Sequence, residues 1–274
     1  MADIMQKFSL NGQTALVTGG AGLLGRQFTL ALGQAGANVV VADFNLDAAQ
    51  RHTQVLLEEG VSAQAIKVDV TKPESTTKMV EQAVSKFGRL DIIVNSAALD
   101  PKFDPENIGD QSSNAFETYP LKSWQEAVDV NLTGMFLACQ AAARQMVKQN
   151  YGVMINICSI YGLVGPDQRL YQHPDGPQQY KPVYYSVSKA GVLGLTRYLA
   201  TYYSGKPIRV NALTPGGVYN QHDEDFLRAY SAKTVLGRMA ALDELSGAIV
   251  FLASEASSYM TGANLIVDGG YTAW

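Results

Sequence analysis

Short runs rich in Val and Ile alternate with helical patterns from end to end of this chain, and that alternation constrains the fold more than any other feature. The strand candidates are 14–17, 38–42, 65–70, 91–95, 153–157, 208–213 and 265–267. They carry apolar residues on both faces, as strands of a parallel sheet covered on two sides do. Between them, Leu46, Ala49 and Leu56 share one helical face, and Met79, Val80, Ala83, Val84 and Phe87 form a stripe. Thr71-x-x-Glu74 and Ser123-x-x-Glu126 read as capping boxes, and Gly60 and Gly88 as helix stops. The pattern predicts an α/β fold, a doubly wound parallel sheet covered by helices on both faces. With no repeat, charge block or Pro-rich linker, all 274 residues are expected to form a single domain.

Two stretches break the rhythm. Residues 99–120 and 163–182 are turn-rich, with Asp100-Pro101, Asp104-Pro105, Gly165-Pro166, His173-Pro174 and Gly176-Pro177 among them. Loops this long inside a compact domain are usually functional or disordered, and both follow strands, so they project from the edge where ligands bind. Tolerated surface insertions are the alternative. Residues 220–234, with Asp223-Glu224-Asp225 before Phe226-Leu227, read as a mobile lid or a solvated helix start.

Composition removes several partners. The net charge is −4 with no basic block, which argues against nucleic acid or an anionic membrane surface. Cys139 and Cys158 are too few for a disulfide framework and read as buried thiols of a reducing compartment, although Cys158 stands beside a serine that matters below. The N-terminal segment has no secretory pattern, and no apolar run approaches the ~20 residues that span a bilayer, so a cytoplasmic protein is expected. His52, His173 and His222 lack companions for a metal site, and no metal is expected. Trp124 and Phe136 fall at helical core spacing.

Thr18-Gly19-Gly20-Ala21-Gly22-Leu23-Leu24-Gly25 joins the first strand to the first helix. Such glycines let the backbone turn tightly and approach a pyrophosphate, whose charge then lies at a helix N-terminus. A strand-to-helix turn wants glycine for its own sake, so the pattern alone is weak. Its context strengthens it, because the next strand ends in Asp43, where an acid accepts hydrogen bonds from an adenosine ribose. A 2′-phosphate there would meet a like charge at ~4 kcal/mol per pair for 4 Å and an effective dielectric of 20. Neither Ala21 nor Phe44 is a basic residue that would offset it. The expected cofactor is NAD.

Tyr185 and Lys189 are four apart, on one helical face. Such a pair arises readily by chance; Tyr202 and Lys206 form another, but Gly205 and Pro207 mark that one as a helix end. A phenol of pKa ≈ 10 is a poor acid or base at neutral pH, and a neighbouring cation favours its ionised form. Lys189 and an oxidised nicotinamide could together supply that bias, while Ser159, closing the fifth strand, is placed to hold a substrate oxygen.

Here the chain resembles the short-chain dehydrogenases/reductases, in the branch of about 250 residues, over nearly its whole length, which implies a single-domain Rossmann fold with a doubly wound, seven-stranded parallel sheet. The matching residues are Thr18–Gly25, Asp43, Asp69-Val70, Asn95-Ser96-Ala97-Ala98, Asn131, Ser159, Tyr185-x-x-x-Lys189, Pro215-Gly216 and Val267-Asp268-Gly269-Gly270. The resemblance implies catalysis by Asn131, Ser159, Tyr185 and Lys189, with the tyrosine as general acid/base and the asparagine supporting a water relay. Gly19, Gly22, Leu24 and Gly25 would line the pyrophosphate turn, and Asp43 and Phe44 the adenosine. Asp69 and Val70 would contact adenine, and Asn95 and Ala97 would support the cofactor from the central strand. Pro215, Gly216 and Val218 would meet the nicotinamide. A homotetramer is implied as well.

The chain also departs from that pattern. Its middle glycine falls at 22 rather than 23, Asn95-Ser96-Ala97-Ala98 replaces Asn-Asn-Ala-Gly, Asn220 stands for a common Thr, and Ser159 and Tyr185 are 26 apart. The glycine spacing resembles NAD-using nucleotide-sugar epimerases and dehydratases, but too little chain follows Lys189 for their second domain. A non-catalytic NAD-binding regulator is the other alternative, and the intact Asn131, Ser159, Tyr185 and Lys189 count against it. Residues 159–166, 214–220 and 267–274 resemble bacterial members linked to sugar metabolism, surface glycans or flagellin modification. Together with two polar loops, this implies a small polar, carbohydrate-like substrate.

Overall fold

The computed structural model describes residues 3–100, 114–172 and 178–274. Seven parallel strands form one sheet in the order β3-β2-β1-β4-β5-β6-β7. They are β1 (Thr14–Thr18), β2 (Asn38–Asp43), β3 (Ala63–Lys67), β4 (Ile92–Asn95), β5 (Gly152–Ile157), β6 (Ile208–Pro215) and β7 (Asn264–Val267). The chain steps outward from β1 to β3, then returns to pair β4 with the other side of β1. That reversal opens a crevice beyond the carboxyl ends of β1 and β4, the place where sheets of this kind bind ligands.

Alternate strand residues feed two cores. On one face Leu16, Val40, Ile93 and Met154 pack with Met79 of α3 (Pro73–Phe87), Met146 of α5 (Gly134–Gln149) and Val192 of α6 (Val183–Tyr202). On the other, Val17, Val41, Val94 and Ile155 pack with Phe28 of α1 (Leu23–Gln34), Leu56 of α2 (Leu46–Glu58) and Leu252 of α8 (Ser246–Ala253). Phe28 is fully buried, a contribution of roughly 1.5–3 kcal/mol. Gly88 ends α3 in the left-handed conformation, φ +79°, and Gly60 follows α2 with the same sign of φ.

Several local expectations are corrected. Neither capping box forms. Asp69 Oδ1 accepts from both the backbone N–H and the hydroxyl of Thr71, so α3 instead starts at Pro73, whose missing N–H suits a first helical position. Ser123 lies inside α4 (Leu121–Val128), which begins directly after Pro120. The third strand ends at Lys67, and Asp69 and Val70 belong to the following turn. Phe136 points outward, 46% exposed, on the solvent side of α5, and Trp124 is only partly buried.

The two long stretches are not structureless where they are described. Short 3₁₀ turns occupy Phe116–Thr118 and Gln168–Tyr171, and another, Ile160–Gly162, leads into the second stretch. The expected turns at Asp104-Pro105, His173-Pro174 and Gly176-Pro177 lie outside the described residues. Residues 220–234 contain α7 (Glu224–Ser231), capped by the Asp223 carboxylate accepting from Phe226 N–H. No helix among the described residues is long and apolar enough to cross a membrane.

Candidate active site

The carboxyl ends of β1, β2, β4, β5 and β6 surround a cleft of about 1020 Å³. Its first end is the turn after β1. Gly19 adopts φ +65°, and a Cβ there would stand 2.8 Å from Ala97 Cα; one on Gly25 would stand 2.1 Å from the Gly19 carbonyl oxygen. Both glycines are therefore demanded by backbone packing, which settles why the turn is so poor in side chains. Gly22, in extended conformation, is the N-cap of α1, and no side chain caps that helix. The uncapped helix end facing a backbone-walled cleft fits a pyrophosphate. Thr18 Oγ1 accepts from Ser96 and Ala97 N–H at 3.2 and 3.3 Å, locking the end of β1 to the end of β4.

Asp43, at the tip of β2, is held by its own backbone surroundings. Oδ2 accepts from Ala21 N–H and Oδ1 from Asn45 N–H, both at 3.0 Å. This fixes a carboxylate between the glycine turn and α2, with Phe44 exposed beside it. Leu24, Asp69, Val70, Ala97, Pro215, Gly216 and Val218 also line the cleft. The β6 loop is tied down by Gly216 N–H donating to Val267 C=O and Gly217 N–H donating to Tyr230 Oη.

Asn95 and Asn131 stand behind the wall rather than in it. Asn95 Nδ2 donates to Asn156 Oδ1 on the neighbouring strand and contacts Cys139 Sγ, so this residue braces β4 against β5 instead of lining the cleft. Asn131 lies in a π-helical turn, Asp129–Thr133, between α4 and α5. Such single turns recur at functional sites. Its Oδ1 accepts from Leu99 N–H at 2.6 Å and its Nδ2 donates to Leu99 C=O at 3.0 Å, with Ser188 Oγ at 3.4 Å. The side chain thus pins Leu99, four residues past the end of β4.

At the other end of the cleft, Ser159 leaves β5 in extended conformation, and its Oγ accepts from Tyr161 N–H. Because α6 begins at Val183 after Pro182, Tyr185 falls in its first turn and Lys189 one turn on. Ser159 and Tyr185, 26 residues apart in sequence, meet at the same end of the cleft. Lys189 is buried and donates to Ile157 C=O at 3.0 Å. Burial lowers its pKa.

The phenol does not behave as the Tyr-Lys spacing alone suggests. Desolvation at the cleft floor, with the Asp100 carboxylate adding, pushes Tyr185 well above its ordinary value, opposed by the neighbouring Ser159 side chain. Burial and the Asp100 carboxylate thus both favour the neutral phenol. Cys158 is equally explained by burial: its thiol is pushed up and donates to Lys189 C=O, a packing role rather than a reactive one.

Sequence reasoning missed much of the substrate end. Lys181 Nζ lies 4.1 Å from the centroid of the Tyr185 ring, nearer than Lys189 Nζ at 5.7 Å. Tyr161 meets the same ring edge-on. Tyr171, Phe226 and Tyr230 form an aromatic wall, with His222 stacked on Phe226. Turn-rich composition gave no sign of this wall; the aromatic content of 168–171 and the apolar pair after Asp225 were the available signals. Among the described residues no group of three or more His, Cys, Asp or Glu could hold a metal ion.

A family model described as enoyl-(acyl carrier protein) reductase matches residues 20–272. The chain is 32% identical to a cyclohexanol dehydrogenase of Acinetobacter sp. (strain SE19), covering 96% of each. It is 32% identical to a D-threitol dehydrogenase of Mycolicibacterium smegmatis, over 97% of this chain and 95% of the other. A 3-alpha-(or 20-beta)-hydroxysteroid dehydrogenase of Mycobacterium tuberculosis is 38% identical, over 96% and 91%. Among solved structures, a short-chain type dehydrogenase/reductase from Mycobacterium marinum superposes with a TM-score of 0.85 at 35% identity, covering 99% of both chains. A gluconate 5-dehydrogenase from Burkholderia cenocepacia in complex with NADP and tartrate gives 0.86 at 28% identity, over 99% of this chain and 100% of the other. The chain belongs to the short-chain dehydrogenase/reductase family, nicotinamide-dependent oxidoreductases that act on CH–OH groups.

Proposed function

We propose that this chain is an NAD(H)-dependent dehydrogenase that interconverts a secondary alcohol and a ketone on a sugar or sugar derivative, with Tyr185 as general acid/base. The observation that carries the reading is the convergence of Ser159, Tyr185 and Lys189 at one end of a cleft whose other end holds Asp43. Gly19, Gly22 and Gly25 cradle the pyrophosphate, Asp43 takes the adenosine ribose, and Pro215, Gly216 and Val218 border the nicotinamide. Bound there, the dinucleotide supplies the hydride acceptor or donor and, when oxidised, a positive ring. Ser159 Oγ holds the substrate oxygen, and Tyr185 Oη takes its proton in oxidation and returns it in reduction. Lys189 fixes the ribose side of the cofactor and adds positive charge near the phenol. Asn131 acts by holding Leu99, and with it the entrance to the site.

Asp43 supports NAD over NADP, since a 2′-phosphate would stand against a carboxylate fixed by two backbone N–H groups. The sugar assignment is supported by the mixture at the substrate end. Asp100, Lys181 and Asn220 suit hydroxyl groups, and the ring faces of Tyr171 and Phe226 suit the C–H face of a hydroxylated carbon skeleton. The likeness to D-threitol dehydrogenase agrees. The same aromatic wall favours a second reading, an alicyclic alcohol, in keeping with the likeness to cyclohexanol dehydrogenase. We further take residues 1–274 as one catalytic domain of a cytoplasmic homotetramer.

A panel of polyols, sugars, alicyclic alcohols and steroids, followed by NADH formation, tests the substrate class. Turnover is expected on sugars or polyols; turnover confined to apolar alcohols would overturn the sugar assignment.

A further inference from the structure

Lys181 and Asp100 come from the two long stretches that interrupt the strand–helix rhythm, and they meet over the catalytic tyrosine. The Lys181 ammonium forms an ion pair with Asp100 while lying against the face of the Tyr185 ring. The lysine side chain is 13% exposed and the aspartate 47%. Both are held from behind. Lys181 N–H donates to Gln168 Oε1 at 2.9 Å, and Asn131 grips both backbone groups of Leu99, next to Asp100. The 163–182 stretch is anchored in turn on α7 and the residues just after it: Tyr171 packs on Phe226 of the helix, and Lys233 beyond its end pairs with Asp167 at 2.5 Å. A long lysine side chain loses rotamer entropy when fixed in this way, so an arrangement this constrained needs a compensating set of contacts, and it has one.

We propose that Lys181 is a positioning residue of the reaction, clamped by Asp100 over Tyr185 so that its ammonium balances the carboxylate and steadies the ionised phenol. The inference rests on Tyr185 being the proton-transfer group. Among the described residues, the groups facing that ring are Lys189 from α6, Ser159 and Cys158 from the end of β5, Tyr161 and Tyr171 from the 3₁₀ turns, Asp100 from the β4 loop, and Lys181 itself. Burial does most to hold the proton on the phenol; of these groups Asp100 is the anion that adds to it, and Lys181 is its ion-pair partner. Lys189 is turned toward the Ile157 carbonyl. Neutralising Lys181 would remove a cation from the ring face and leave the Asp100 charge unopposed. Both changes disfavour phenolate.

Two readouts test this. The ultraviolet absorbance of tyrosinate, taken as each protein minus its Tyr185→Phe counterpart from neutral to alkaline pH with NAD⁺ present, isolates this phenol among the 14 tyrosines. Lys181→Gln should move its midpoint up by about one unit, the scale of an ion contact at this range. Asp100→Asn should move it down, and Lys181→Arg should keep the parent value. In the oxidation of the best panel substrate, the rising limb of kcat against pH should follow the same order, so that Lys181→Gln is about tenfold slower below the limb and recovers above it. An unmoved midpoint, one beyond alkaline reach that Asp100→Asn does not bring down, or a loss of kcat equal at every pH would overturn the proposal. Should Tyr185→Phe keep full activity, the fault lies instead in the reading of Tyr185.

Discussion

Replacing Asp43 by Asn removes one charge and little else, since the amide oxygen can still accept from Ala21 or Asn45 N–H. Cofactor choice should respond strongly. For NAD, a charge-assisted hydrogen bond of roughly 1.5–3 kcal/mol becomes a neutral one of about 0.5–1.5, so affinity should fall about tenfold. For NADP, each like-charge pair at about 4 Å costs ~4 kcal/mol at an effective dielectric of 20. Asp43 is only partly buried, and salt screens charges over about 8 Å, so half of that or less is a realistic relief. A relief of about 2 kcal/mol raises NADP affinity roughly 30-fold, and the NAD-to-NADP preference should therefore shift by about two to three orders of magnitude. Calorimetric titration of both proteins with both cofactors measures it. A preference that stays within about threefold of the parent would refute the electrostatic argument, because even ~1 kcal/mol of relief exceeds that change.

Two further outcomes follow from packing. Gly25→Ala places a Cβ 2.1 Å from the Gly19 carbonyl oxygen, a backbone clash. It should cost about 1–3 kcal/mol of stability and weaken NAD binding, measured by thermal unfolding and titration; parent values in both would show that the turn is not packed as described. Burial holds the Cys139 thiol up at about 12 and raises that of Cys158. Neither should react with an alkylating reagent at neutral pH until the chain unfolds, and rapid native labelling counted by mass spectrometry would contradict this.

The sheet was legible because its information is local and repeated. Val39 to Ala42 or Ile92 to Val94 cannot be placed anywhere but a strand covered on both sides, since all of them are buried. The phosphate turn and the tyrosine pair were legible because backbone contact and helical spacing constrain residue type directly. Helix starts were read less well. The Thr71 hydroxyl found Asp69, and Pro73 set the first turn of α3, so a correct motif had a stronger local competitor. Asn131 was expected in catalysis and Asn95 beside the cofactor; both are buried behind the cleft wall, and their partners, Leu99 and Asn156, depend on tertiary contacts no spacing reveals. Lys181, Asp100 and the Tyr171–Phe226 wall escaped notice for the same reason. Each matters through a neighbour supplied by another loop, and loop sequences carry no periodicity from which to read it.

The central claim is that Tyr185 moves the substrate proton in a cleft that binds NAD independently of it. Turnover and NAD affinity of Tyr185→Phe, measured side by side with the parent, test that most directly. Loss of about 10²–10⁴ in kcat with NAD affinity unchanged is expected, the range general acid–base catalysis contributes. Full activity in that variant would contradict the account.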